Sequence, residues 1–176
     1  MYTVSFFGHR EVFGHADVMK KLQAAVSEIM QEHDEILFFV GRNVDFDKMT
    51  AQAVRNAIDT NVNNKNYVLR LVLPYETAEF KHHLRELQQI YDEITVYEPS
   101  KKAHFKAAVQ IRNRFMIDTS DMIVCYILHA KGGAYQSVSY AEKQNKKNLE
   151  SCRINIQKSL FNFSGICYNM VRHSAY

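Results

Sequence analysis

A chain of 176 residues with 47 % hydrophobic content suits one globular domain with a substantial core. Its formal charge of +3 is too mild to announce a nucleic-acid partner. Its longest unbroken apolar run, Met122 to Leu128, falls well short of the roughly 18 residues of a membrane span, and no basic-then-apolar leader opens the chain. The 3 cysteines, Cys125, Cys152 and Cys167, form no C-x-x-C pair and argue against both a disulfide framework and a zinc knuckle, so a cytoplasmic protein is expected.

In chain order, strand-like and helix-like segments alternate. Thr3 to Phe7 reads as a strand, and Val18, Leu22, Ala25, Val26 and Ile29 then follow the spacing of one helical face. Ile36 to Val40 is a second strand, followed by a stripe of Phe46, Met49, Ala53 and Ala57. Tyr67 to Leu73 reads as a continuous, fully buried strand that Pro74 ends. Phe80, Leu84, Leu87 and Ile90 mark a third helix and Ile94 to Tyr97 a short strand. Phe105 to Ile117 is a fourth helix with Ala108, Ile111 and Phe115 inward. Met122 to Leu128 is the fifth strand, and a last helix begins near Ala134 and fades into the lysines of KQNKK, which suit a solvated helix end. The pattern predicts an α/β fold: a Rossmann-like, doubly wound, mainly parallel sheet of at least five strands with helices on both faces.

In such sheets ligands bind outside the carboxyl ends of the strands. The loops there are GHREVFGH, GRNVDFD, PYET, EPSKKAH and HAKGG. Glycines at strand ends let backbone amides approach a ligand, and helix N-termini add partial positive charge, so the geometry favours an anion. In GRNVDFD, Gly41 makes the turn. Asp45 and Asp47 are then either ordinary helix-start residues, or Asp47 accepts hydrogen bonds from a ribose or base. Gly132 and Gly133 are either a tight turn or a phosphate cradle. In IRNRFMIDTSD, Arg112 and Arg114 flank Asn113. Arginine suits bidentate phosphate recognition, yet Arg112 lies about 10 Å along the axis from Phe105, so a surface ion pair competes with a ligand contact. His9 stands at a strand end beside Arg10 and reads either as a ligand contact or as a group that orders the loop. The adjacent His82 and His83 would point about 100° apart on a helix and cannot chelate one metal. No G-x-G-x-x-G follows the first strand, which disfavours an ordinary NAD dehydrogenase.

Four motifs at matching βα positions carry a family resemblance: SFFGHR, VGxxxxFD, RNRxMIDxSDMIVCY and GGAYQxxxYA. Over residues 2–156 the chain resembles the YpsA/YoqJ-like family of the SLOG superfamily, a Rossmann-like group that includes the LOG phosphoribohydrolases and the DprA single-strand DNA binders. The resemblance implies a nucleotide or nucleotide-derived ligand, such as a nucleoside phosphate or an ADP-ribose-like molecule. Gly8, His9, Arg10, Gly41, Phe46, Asp47, Arg112, Gly132 and Gly133 would hold it. Residues 157–176 form an extension beyond the resemblance.

Two departures bear on the ligand and the chemistry. Where many members read G-G-A-L-G-F-D, this chain has Arg42 and Asp45 in place of glycines; Arg42 is a candidate phosphate contact, whereas Asp45 would repel one. LOG hydrolases read P-G-G-x-G-T-x-x-E, and the glutamate position falls here on Ser139, which cannot act as a carboxylate does. Glu142, on a similar helical face, would have to replace it, with Arg112 beside it. The expectation is therefore a binding or sensing protein for a small nucleotide derivative, with no metal, no membrane and no nucleic acid. A LOG-type N-glycosidic hydrolase is the alternative and a pure protein-interaction module the third reading. Pairing of two copies through an outer helix is kept open.

Overall fold

The computed structural model describes residues 1–41, 45–61, 65–144, 151–155 and 165–170. Five strands, β1 (Tyr2–Gly8), β2 (Glu35–Val40), β3 (Asn66–Leu73), β4 (Glu93–Val96) and β5 (Met122–Ile127), run parallel in the order β4-β3-β2-β1-β5. Two more continue the sheet past β5: β6 (Ser151–Asn155) pairs antiparallel with β7 (Gly165–Met170), which itself pairs antiparallel with β5. Part of the segment read as an extension thus contributes a strand; the boundary at 156/157 lies outside the described residues. The helices are α1 (His15–Glu32), α2 (Asp45–Thr60), α3 (Ala78–His82), α4 (Leu84–Ile90), α5 (Glu98–Lys101), α6 (Phe105–Asp118) and α7 (Gly132–Gln144). This is the doubly wound α/β architecture that the alternating pattern predicts.

Strand side chains alternate between faces, so β1, β2, β3 and β5 each feed two cores. Val4 and Phe6 of β1, Ile36, Phe38 and Val40 of β2, and Val124 and Tyr126 of β5 pack with Leu22, Val26 and Ile29 of α1 and Phe46 and Val54 of α2. Phe7, Leu37, Phe39, Ile123 and Cys125 pack on the other face with Met116 and Ile117 of α6 and Val138 and Ala141 of α7. Phe6, Phe38, Phe46 and Ile123 are all but sealed from water, each contributing about 1.5–3 kcal/mol of hydrophobic stabilisation. Ser5 is the polar exception on the second face; its hydroxyl lies 2.6 Å from Ser120 Oγ and 3.2 Å from the Met116 carbonyl, so it is buried but satisfied.

The structure corrects several local expectations. The third helix is two short ones broken at His83, and of its apolar stripe only Leu87 is buried, because the segment lies at the thin β4 edge. β3 is half-buried at Tyr67, Val68 and Arg70 for the same reason: Arg70 ion-pairs with Glu93 and lies over the Phe39 ring. In α6 the sealed positions are Ala108, Arg112, Met116 and Ile117, while Ile111 and Phe115 are half-buried. A short helix, α5, occupies part of the loop read as EPSKKAH, and the last helix begins at Gly132 rather than Ala134.

The strand order places the switch point between β1 and β5. From β1 the chain proceeds outward through β2 to β4, and it returns to the opposite side of β1 for β5. The loop after β1 leads to α1 on one face and the loop after β5 to α7 on the other, so the two part and leave a crevice above the strand ends. Among the described residues no helix is long and apolar enough to cross a membrane.

Candidate functional site

The crevice opens into a cavity of about 1230 Å³ walled by the ends of β1, β2 and β5, by one side of α6 and by the first turn of α7. Its β1 wall is held from β5. The Tyr126 carbonyl accepts the His9 amide at 3.1 Å, and the Tyr126 hydroxyl lies 3.1 Å from the Phe13 amide and 3.4 Å from the Phe13 carbonyl. The loop from His9 to Phe13 is thereby pinned at both ends. Burial pushes the Tyr126 phenol up, and its bond to the Phe13 backbone acts against that.

Gly8 is glycine because of what lies behind it. A Cβ there would stand 2.2 Å from Cγ of Phe46, whose ring stacks on Tyr126 at 5.7 Å. Phe46 is therefore buried behind the cavity floor and is not part of its lining. At the β2 end, a Cβ on Gly41 would stand 2.6 Å from Asp47 Oδ2 and 3.0 Å from Arg112 Nη1. Gly41 marks the place where the carboxylate and the guanidinium converge.

Arg112 is buried, not a surface ion pair. It is 6 % exposed, its Nη1 donates to the Val72 carbonyl at 2.7 Å, and its Nε has no hydrogen-bond partner among the described residues. Burial lowers the guanidinium below the usual arginine value, and the charge of Asp47, itself buried, acts against that, with Tyr75 helping. A carboxylate on the same cavity wall is what makes a buried guanidinium tolerable. The distance objection from the helix start fails because α6 lies lengthwise along the cavity: Phe105, Val109, Arg112, Asn113 and Met116 all line it, at the spacing of one helical face. Arg114 points away and rests on the Tyr140 ring.

At the β5 end, Gly132 has φ +88°, the left-handed region that favours glycine. Gly133 follows inside α7, and a Cβ on it would meet nothing within 4 Å. The turn is braced from α6: Asn113 Nδ2 donates to Ser137 Oγ at 2.9 Å, and the Ser137 hydroxyl donates to the Gly133 carbonyl at 2.9 Å. His9 lies against this turn. Its ring centroid is 4.0 Å from that of His129, and its Nε2 is 3.2 Å from the His129 carbonyl. Burial, then the neighbouring His129, lowers the His9 imidazole below its usual value, with the backbone bond to His129 opposing.

Of the residues singled out in the sequence, Gly8, His9, Arg10, Gly41, Asp47, Arg112, Gly132 and Gly133 line this one cavity. Arg42 lies outside the described residues. Glu142 is exposed and does not line the cavity; nine residues past Gly133, it lies about 13 Å along the helix axis, too far to serve beside the glycines. Ser139 is half-buried and also outside the lining. Sequence reasoning did not single out Phe13, Tyr75, Phe105, Asn113 and His129, all on the wall. Phe13 and Phe105 are 68 % and 54 % exposed, and an aromatic at a loop tip or a helix start was the available signal. Among the described residues no group of three or more histidine, cysteine, aspartate or glutamate side chains could hold a metal ion.

No protein-family model matches this chain, and no curated protein matches it.

Proposed function

We propose that this chain binds a nucleotide or nucleotide-derived ligand, such as a nucleoside phosphate or an ADP-ribose-like molecule, and acts as a sensor or partner module. The observation that carries the reading is that eight residues chosen on sequence grounds, from three strand-to-helix junctions and from α6, meet on the wall of one cavity at the switch point of the sheet. In this reading the phosphate lies at the amino end of α7, over Gly132 and Gly133, where backbone amides and the helix dipole favour an anion. The ribose lies by Asp47, whose carboxylate accepts from hydroxyls. The base rests on the exposed rings of Phe13 and Phe105. A volume of about 1230 Å³ exceeds the roughly 300–1,000 Å³ of ordinary small-molecule pockets, which suits a nucleotide carrying a further group. The resemblance to the SLOG superfamily points the same way. The hydrolase alternative is weakened by the position of Glu142 outside the lining.

The test is a panel of nucleoside monophosphates, ADP-ribose and the parent nucleosides, followed by thermal denaturation and by chromatography for released base. Stabilisation by phosphorylated members without base release is the expected result. Base release would replace this reading with the hydrolase, and no stabilisation by any member would replace it with a protein-interaction module.

A further inference from the structure

We infer that His9 couples anion binding to proton uptake: a ligand phosphate seated against Gly132 is met by a proton arriving on His9 Nδ1. The inference rests on the nucleotide reading above and specifies the chemistry of its phosphate end.

Three observations carry it. First, His9 is 7 % exposed and lies on the cavity wall. Its Nε2 is 3.2 Å from the His129 carbonyl and also within reach of the His129 amide at 3.4 Å, and in the proposed arrangement the neutral tautomer is the one in which Nε2 donates to the carbonyl. Second, this leaves Nδ1 with a lone pair, no hydrogen-bond partner among the described residues, and a position 4.0 Å from where a Cβ on Gly132 would stand. A bare lone pair beside the proposed phosphate seat repels an ionised oxygen, whereas a protonated Nδ1 donates to it in a charge-assisted bond. Third, among the described residues the other charged or titratable groups facing this space are Arg10, Glu11, Asp47, Tyr75, Arg112 and His129. Within that set the two guanidinium groups are matched by two carboxylates, leaving no surplus of fixed positive charge to answer a phosphate. A proton supplies one.

The surroundings of His9 keep that proton off. His9 is desolvated and its ring lies tilted against a second imidazole, both of which disfavour the cation. An anion beside Nδ1 reverses the balance and raises the His9 pKa. Binding then takes up protons, and affinity rises as pH falls from the pKa of the complex toward that of the free protein.

The experiment is isothermal titration calorimetry of the full chain with ADP-ribose and with AMP, in buffers of differing ionisation enthalpy near pH 7.5. ADP-ribose is the sharper probe because its bridging phosphates lack the second ionisation near pH 6 of a monoester. Uptake of a substantial fraction of one proton per ligand is expected, with uptake abolished and affinity level between pH 6 and 8 in His9→Gln. Binding without proton uptake, or uptake that survives His9→Gln, overturns the inference while leaving the nucleotide reading standing. Failure of both probes to bind removes the nucleotide reading and this inference with it. Because His9→Gln also alters the contacts of His9 with the His129 backbone, nitrogen-15 imidazole spectra of the unmutated chain provide an independent readout. Nδ1 should pass from a lone-pair to a protonated signature on saturation, and an unchanged signature overturns the inference.

Discussion

Replacing Gly133 by alanine adds one methyl group at a place where the protein has nothing to collide with it. Gly133 is outside the left-handed region, lies in the first turn of α7, and a Cβ there meets no atom within 4 Å. A glycine-to-alanine change at a compatible position stabilises by about 0.4–1 kcal/mol, chiefly by restricting the unfolded chain. For a chain of this size that corresponds to a rise in melting temperature of roughly 1–4 °C. The same methyl projects beside the amide proposed to hold the phosphate, so AMP should lose at least tenfold in affinity, about 1.4 kcal/mol, while adenosine loses little. Differential scanning fluorimetry without ligand, then titration with AMP and adenosine, reads both effects, which have opposite signs. A fall in melting temperature would refute the claim of open space. Equal loss for nucleoside and nucleotide would indicate a distorted loop, and a stabilised variant with unchanged AMP affinity would move the phosphate elsewhere, Arg10 being the next candidate.

Asp47→Ala should cost about 3–5 kcal/mol in urea denaturation, well beyond the ~1 kcal/mol of a helix-start residue, because it strips charge compensation from buried Arg112. Adding Arg112→Met should recover part of that loss, and additive costs in the double-mutant cycle would show that the two are not coupled. Gly8→Ala should destabilise by at least 1–3 kcal/mol through collision with Phe46, and Phe46→Leu should relieve it; a neutral Gly8→Ala would mean that the ring moves freely. The lowered His9 pKa means that the unfolded chain binds more protons than the native one near pH 6. His9 therefore contributes a loss of stability as pH falls through its unfolded value of ~6.5 toward its lower native value, and His9→Gln should flatten that part of the stability profile.

Much of the sheet was legible because a parallel βα unit writes its period directly into the chain: β1, β2 and β5 are short apolar runs, and α1 repeats its buried residues every three or four positions. The cavity-lining loops could be picked for a topological reason, since parallel strands present all their carboxyl ends on one side. Arg112 shows where reading by residue type failed. An arginine in a helix suggests solvent, but Ala108, Arg112 and Met116 are four residues apart and form one stripe, so its position, not its chemistry, carried the signal. The break at His83 left no comparable mark, because the segment contains neither proline nor glycine and rests on a short edge strand with little to bury. His129 was passed over for a similar reason: its partner His9 is 120 residues away, and no local spacing announces such a pair.

That separation bears on how the protein comes into being. The cavity's opposing walls are joined only when β1 pairs with β5, which brings His9 against His129, 120 residues further along the chain. At the usual pace of synthesis, 5–20 residues per second, the first wall waits roughly 6–24 s for the second to be made. Until then β1 can pair with β2 along one edge while its other edge lies open. Closing that edge and completing the pocket are one event, so a ligand that needs both walls can recognise only a chain whose central strand has been claimed on both sides. Such a ligand stabilises the finished fold and none of its predecessors, making occupancy of the cavity a report that assembly is complete.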